Sequence, residues 1–310
     1  MQNVTLKQLR YFHALAREQH FGRAAEACSV TQPALSMQIQ ELEASLGLDL
    51  VERTRSGVKL TAKGEQIAGR AQRILNDVRD LIDFAKQSAG VLSGTLRLGL
   101  IPSVAPYLLP PLLPLLKQHY PGLALHVRET QTETLMRELV EGKLDVLLLA
   151  LPVKHPDIET LALFEDRFLL ALPKTQNLSG RVRATPDLVK QERLLLLEEG
   201  HCLRDQALAY CSLKHVDTIN TFGASSMSTI VEMVAAGLGI TLLPELCILV
   251  EERGREIKLM RFVEPEPART IGLAWRHSSP RADDYRALGK LVLAAGEEIM
   301  RLGSERAAKN

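Results

Sequence analysis

The chain has 310 residues, of which 46% are hydrophobic and 24% charged, with a formal net charge of +1. That length suggests about two domains. The near-zero charge excludes an overall polyanion-binding surface, so any nucleic-acid site must be local. Aromatic residues make up only 4%, so aliphatic side chains must fill the core. The opening stretch "MQNVTLKQLRYFHALAREQH" lacks the apolar centre of a signal peptide. No run approaches the ~18 apolar residues of a membrane span. The expected compartment is therefore the cytoplasm, where thiols are kept reduced. There, a pair among the four cysteines points to catalysis, metal binding or redox sensing rather than to a structural disulfide.

Residues 1–60 read as short helices followed by a hairpin. Leu6, Leu9, Phe12, Leu15 and Ala16 recur at helical spacing, and "GRAAEACSV" is a second short helix. "TQPALSMQIQELEASLG" is a third, with Leu35, Ile39, Leu42 and Leu46 along one face and Gly47 as its stop. "LVERTRSGVKLT" is a hairpin with its turn at Ser56–Gly57. Residues 61–92 hold one long helix and a small-residue linker, "SAGVLSG". In the helix, Ile67, Ile74 and Leu81 alternate with Ala71, Val78 and Ala85 as a heptad seam. The seam suits a partner helix, and hence a dimer, better than a helix lying on its own domain.

Residues 93–310 change texture. "TLRLGLI", "LALHVRE" and "DVLLLAL" are strand-like, with amphipathic helices "YLLPPLLPLLKQHY" and "TETLMRELVEG" between them. "FLLALP", "RLLLLEE", "GITLLP" and "RTIGLAW" read as further strands, with helices over 225–237 and at the end of the chain. Strands alternating with helices predict an α/β module with a parallel sheet.

The most specific local pattern in the N-terminal part is "FGRAAEACSVTQPALSMQIQELEASLG". Two short helices with a tight break near Val30–Thr31 make a helix-turn-helix. Thr31 can cap the second helix, and Pro33 is tolerated in its first turn. With Leu35, Ile39 and Leu42 inward, the exposed side carries Pro33, Ser36, Met37 and Gln40, which can approach base edges. The backbone N–H of Gln32, with Arg53, Arg55 and Lys59 of the hairpin, can meet phosphate. The plainer alternative is a three-helix bundle with a solvated polar face.

Over its full length the chain resembles the LysR family of bacterial transcription regulators, most specifically in "LRYFHALAREQHFGRAAEACSVTQPALSMQIQELEASLGLDLVERTRSGVKLTAKGE". The resemblance implies a winged helix-turn-helix over 1–60, a dimerising linker helix over 61–92 and a sensor over 93–310. That sensor would be an α/β module of the type II periplasmic-binding-protein kind. Its first subdomain would span about 93–164 and 269–303, and its second about 165–268. A homotetramer on promoter DNA, activating through RNA polymerase, is implied as well.

Two cysteines, Cys202 and Cys211, sit nine positions apart in "GHCLRDQALAYC", a helix-forming stretch. Cys202 would open that helix, where the partial positive charge favours thiolate, and His201 and Arg204 are adjacent. Cys28 and Cys247 read as small buried hydrophobes. A metal site built from Cys202, Cys211, His201 and His215 fits no standard zinc spacing, and no metal or cofactor is expected. The stretch, together with "GLIPSVAPYLLP", "VAAGLGITLLP" and "PEPARTIGL", is similar to the peroxide-sensing branch of the LysR family. That similarity implies a hydrogen peroxide sensor that is not an enzyme. Cys202 would be the peroxidatic thiol and Cys211 the resolving one, with a glutaredoxin or thioredoxin as reductant. It further implies that Ser103 and Thr132 hold the peroxide, that Arg269 favours the thiolate, and that His201 is a polar neighbour of the reactive centre. The alternative is a metabolite-responsive LysR-type regulator with incidental cysteines.

Overall fold

The computed structural model describes residues 4–54, 57–86, 90–176, 183–210 and 224–307. Contacts divide the chain into two compact units, Met1–Lys86 and Gln87–Asn310. Among the described residues no helix is long and apolar enough to cross a membrane.

In the first unit, helices α1 (Leu6–Glu18), α2 (Phe21–Ala27) and α3 (Gln32–Leu46) are followed by strands β1 (Val51–Thr54) and β2 (Gly57–Leu60) and by a long helix, α4 (Ala62–Lys86). Each short helix starts at a side chain that accepts its first free amides. Thr5 and Gln8 form a reciprocal capping box on α1. The His20 ring accepts the Gly22 and Arg23 amides of α2, and Thr31 Oγ1 accepts the Ala34 amide of α3 at 3.4 Å. Those N–H groups have no intrahelical partner, so such caps decide where the helices begin. Phe12, Leu15, Leu35, Ile39 and Leu42, none more than 1% exposed, form the core. Leu6 does not join it, because the buried face of α1 begins at Gln8 and Leu9.

The β1–β2 register pairs Thr54 with Gly57. Gly57, expected in the turn, is therefore a strand residue, and Ser56 lies outside the described residues. Val58 is buried, and a period-two strand that must bury it has little freedom to slip. Gly64, in the first turn of α4, lies against this hairpin. A Cβ there would sit 2.0 Å from the Leu50 carbonyl oxygen.

The heptad seam of α4 divides in two. Ala71 belongs to the core of the first unit, and Ile67 and Leu75 pack against it. Ile74 is exposed, Val78 is half-buried, and Leu81, Ile82 and Phe84 farther along are exposed. Ile67 and Ala71 of the seam are thus covered by their own domain, contrary to the single partner-facing seam expected from spacing. The helix is one continuous cylinder, and the bundle reaches only its first turns.

The second unit is built on a seven-stranded mixed sheet. Its strands are β3 (Gly94–Leu100), β4 (Leu123–Glu129), β5 (Val146–Leu151), β6 (Ile158–Pro173), β7 (Thr241–Pro244), β8 (Ile257–Arg261) and β9 (Ala268–Arg276). The spatial order is β4-β3-β5-β9-β6-β7, with β8 also on β6. β3 runs parallel to β4 and β5, whereas β9 is antiparallel to both β5 and β6. The sheet is therefore mixed rather than parallel throughout. Strand β6 changes partners along its length. Residues 158–167 pair with β9, while Phe168–Pro173 pair with β7 and β8. Strand β6 thus joins the part of the sheet paired through β9 to the part paired through β7 and β8.

Helices α5 (Ala105–His119) and α6 (Thr132–Val140) follow β3 and β4. Pro110, Pro111 and Pro114 lie inside α5. None of the three is among its buried residues, which are Ala105, Tyr107, Leu108, Leu112 and Leu116. The missing amides therefore fall on the outer side, where the cost of a broken ladder is least. Helices α7 (Pro186–Gln191), α8 (Cys202–Tyr210), α9 (Met227–Ala235), α10 (Ile248–Glu251) and α11 (Ala282–Ala307) complete the unit, with a 3-10 turn at Glu245–Cys247.

Residues 193–199 are not a strand. They make only isolated bridges, Leu194 with Ile240 and Leu197 with Ala224. Their run of leucines is buried from both sides without a ladder.

Alanine at Gly64 must push α4 off the Leu50 carbonyl. The expected loss is about 1–3 kcal/mol, as for overpacking elsewhere. Differential scanning calorimetry should show a lower melting transition for the N-terminal unit and an unchanged one for the second unit.

Candidate functional site

Cys202 is the first residue of α8. The loop before it turns at Gly200, whose φ of +89° is one that side-chain-bearing residues rarely adopt. A Cβ at Gly200 would also lie 2.6 Å from the Gln131 side-chain oxygen. Gln131 in turn donates its amide to the Glu199 carbonyl at 3.3 Å. Glycine is required twice over, for the turn and for this close approach. Buried Leu203 and Ala207 anchor α8 on the core. At its far end the Tyr210 ring meets Phe262 edge-on, with ring centroids 5.2 Å apart.

Across from Cys202 stand the ends of β3 and β4. Ile101, Pro102 and Ser103 follow β3, and Gln131 and Thr132 open α6. These residues and the 200–203 segment enclose a cavity of about 10 Å³. That is room for roughly one water-sized molecule. It lies at the carboxyl ends of two parallel strands, the usual place for a ligand in an α/β sheet.

The polar groups of the cavity have hydrogen-bonding capacity to spare. Ser103 Oγ accepts from Arg269 Nη1 at 2.7 Å, and the Ser103 carbonyl accepts from Nη2 at 3.0 Å. With a donor already on its oxygen, the Ser103 hydroxyl has its own proton left to give. Thr132 Oγ1 is buried and has no hydrogen-bond partner among the described residues. An orphaned buried hydroxyl is costly unless something fills the space beside it.

Arg269 is held from behind. Its Nε donates to Asp166 Oδ2 at 2.9 Å, and both side chains are fully buried. Burial raises the Asp166 carboxyl above its usual range. Burial also works against the Arg269 charge, but Asp166 more than offsets it and the guanidinium stays charged. Cys202 lies within its electrostatic reach.

The other expected cations contribute less. His201 is only 7% exposed. Burial lowers its pKa, against an opposing pull from Glu198. It is therefore neutral at pH 7 and supplies polarity rather than charge. Arg204 points back to the Leu197 carbonyl at 3.4 Å and to Glu199 at 3.8 Å. The helix terminus and Arg269 remain as the positive features near the sulfur.

Cys202 is half-buried, and its thiol is free. Cys211 lies outside the described residues. Cys247 is fully buried against the Ser103 carbonyl, and burial pushes its thiol well up, which makes it inert. Cys28 is half-buried, and its thiol is also raised by burial. Sequence reasoning missed Asp166, Gln131 and the special turn at Gly200. Only the glycine carried a signal, as a breaker directly before a helix.

In the first unit, Thr31, Gln32, Pro33 and Gln40 are exposed along α3, and Ser36 is half-buried. Met37, on the same side, is 53% exposed. Arg53 lies in β1, and Arg55 falls outside the described residues. The structure thus brings Ser103, Thr132, His201, Cys202 and Arg269 together in one unit and sets the helix-turn-helix residues apart in the other.

Residues 6–65 match the bacterial regulatory helix-turn-helix model of the lysR family, and residues 89–297 match the LysR substrate binding domain. The chain belongs to the LysR family of transcriptional regulators. Among LysR-type relatives, the DNA-binding transcriptional dual regulator OxyR of Escherichia coli K12 is 40% identical over 291 residues, covering 94% of this chain and 95% of the relative. A probable hydrogen peroxide-inducible genes activator of Streptomyces viridosporus is 44% identical over 299 residues, covering 96% and 95%. Among solved structures, full-length Pseudomonas aeruginosa OxyR with cysteine replaced by aspartate superposes with a TM-score of 0.70 at 37% identity, covering 94% of this chain and 98% of that one. A hydrogen peroxide-bound cysteine-to-serine variant of Corynebacterium glutamicum OxyR gives 0.67 at 34% identity, covering 98% of both.

His201 links this LysR-type sensor to pH. Its pKa is lower folded than unfolded, so unfolding takes up a proton once the pH falls below the ordinary value near 6.5. The second unit should therefore lose stability as pH falls from about 6.5 toward the lowered folded pKa. His201→Gln should remove that part of the slope in urea melts taken across this range.

Proposed function

We propose that the chain is a hydrogen peroxide-sensing, DNA-binding transcription regulator. Cys202 would be its peroxide-reactive thiol and Cys211 its resolving thiol. The observation that carries this reading is the cavity at Cys202. A free thiol at a helix N-terminus opens on a space of about 10 Å³ beside a buried hydroxyl that has no partner among the described residues. Hydrogen peroxide fits the chemistry of that space. It is small, and it both donates and accepts hydrogen bonds, as Ser103 and Thr132 require. A metabolite-sized ligand does not fit there, which disfavours the metabolite-responsive alternative. The likeness to a hydrogen peroxide-bound OxyR points the same way.

The spacing then supplies the switch. α8 runs from Cys202 to Tyr210. Continued by one residue, it would set the two cysteines about 13 Å apart. A disulfide needs Cα atoms roughly 4.4–6.8 Å apart. Oxidation to a Cys202–Cys211 disulfide therefore requires α8 to unwind and the 202–215 segment to refold. The closed ten-residue loop constrains the unwound chain by roughly 2.7 kcal/mol on the chain-entropy account. That is the scale on which alternative packings of a short segment differ.

The exposed half of the α4 stripe suits a second copy of the same helix. The reading is of a homotetramer, a dimer of dimers, on promoter DNA in the cytoplasm. Thr31, Gln32, Pro33, Ser36, Gln40, Arg53 and Arg55 would form its DNA contact. Refolding near Cys202 would re-space the DNA-binding heads for RNA polymerase, and a glutaredoxin or thioredoxin would reset the thiols. The protein would be a sensor and not an enzyme, consuming about one peroxide per disulfide.

Peptide mapping of reduced and peroxide-treated protein should show a new bond between Cys202 and Cys211, and Cys202→Ser should abolish peroxide-dependent transcription. Treated protein without that bond overturns the mechanism, and many rapid turnovers with thioredoxin would make the protein a peroxidase instead. Aspartate at Leu81 and Phe84 should shift the species seen by analytical ultracentrifugation toward monomer. An unchanged distribution would remove α4 from the interface.

A further inference from the structure

Asp166 lies outside the cavity, yet both hydrogen bonds from Arg269 to Ser103 lead back to this residue. It faces Arg269 directly across the β6–β9 ladder. Its Oδ2 accepts from Arg269 Nε at 2.9 Å, and its Oδ1 accepts the Leu246 amide at 2.9 Å. With its carboxylate fully buried and bonded at both oxygens, it has no freedom to turn. The guanidinium it holds is planar, so fixing Nε fixes both Nη atoms. Those atoms meet the Ser103 hydroxyl and the Ser103 carbonyl. The Phe168 ring closes the remaining side, with its centroid 5.9 Å from the guanidinium carbon.

We propose that Asp166 is a positioning residue for the peroxide reaction at Cys202, acting through Arg269 to aim the Ser103 hydroxyl proton at the departing peroxide oxygen. The inference rests on the peroxide-sensing reading above. In the reaction the Cys202 thiolate attacks one peroxide oxygen. An S–O bond forms as the O–O bond breaks, sulfur is oxidised by two electrons, and the peroxide is reduced by two. The attacked oxygen keeps its hydrogen as the sulfenic acid. The other leaves as hydroxide and is neutralised to water by the proton the thiol had released. Charge builds on the leaving oxygen as the O–O bond stretches. A hydroxyl that already accepts from a cation is a stronger donor to it than a free one. Without Asp166 the guanidinium loses its anchor, and the hydroxyl is no longer polarised toward the cavity.

The test compares two reactions of Cys202 in the full-length reduced protein, oxidation by hydrogen peroxide and alkylation by iodoacetamide. Both need the thiolate, but only the first expels a hydroxide into the cavity. Asp166→Asn should slow the peroxide reaction at least tenfold and change alkylation less than threefold. The ratio of the two rates should stay depressed across the pH profile. Arg269→Lys keeps a cation opposite Asp166 but lacks the second arm that reaches Ser103, and should give the same selective loss. It carries the test if the Asn variant does not fold. A peroxide rate within twofold of the parent in a folded variant overturns the proposal. So does a parallel fall of both rates, which would mark Asp166 as merely structural. A parent protein whose Cys202 reacts with peroxide no faster than free cysteine overturns the peroxide reading itself, and the proposal with it.

Discussion

The guanidinium of Arg269 sits where water is excluded, with a carboxylate on one side and a hydroxyl and a carbonyl on the other. A buried charge in that position is tolerable only if it is matched and fully hydrogen-bonded. The match ties together three parts of the chain far apart in sequence. Asp166 comes from β6 where that strand is about to change partners, Arg269 from the start of β9, and Ser103 from the end of β3. Removing Arg269 leaves a carboxylate buried without its cation, and removing Asp166 leaves a guanidinium buried without its anion. The shape of the cavity wall that faces Cys202 follows from this match.

Against this fixed wall stands a segment that is built differently. Helix α8 is short and begins after a turn that glycine alone makes readily. Its grip on the core is buried Leu203 and Ala207, with Cys202, Leu208 and Tyr210 only partly buried against it. An element with few buried contacts opens at low cost, while a fully bonded ion pair does not. The site thus pairs a rigid half, bonded throughout, with a half held by fewer buried contacts.

Much of the architecture was legible because it depends on neighbours in sequence. The caps at Thr31 and Gly47, the α3 core face, and the early strands β3, β4 and β5 all follow from patterns within a few residues. The resemblance carried Ser103, Thr132 and Arg269, which composition alone would leave as turn residues and a paired charge. What escaped depends on distance. The first half of β6 was unreadable because its outward positions are charged Glu165 and Arg167, and one inward position is Asp166 itself. Nothing in "LFEDRF" reveals that the second acid meets an arginine 103 residues later. The 193–199 run misled for the opposite reason. Four buried leucines look like a strand, but burial on two sides does not require a ladder. His201 escaped in charge rather than place, since sequence neighbours cannot show that an imidazole is buried.

The split stripe on α4 has a mechanical side. Its first turns are welded to the helix-turn-helix by Ile67, Ala71 and Leu75, and its last turns present bare apolar surface. There is no joint between the two ends. A helix of 25 residues is a rod about 37 Å long. Whatever grips the far end and twists it therefore twists the reading head through the same angle. The apolar end is a handle, and the recognition helix is the bit of a key cut on the same shaft.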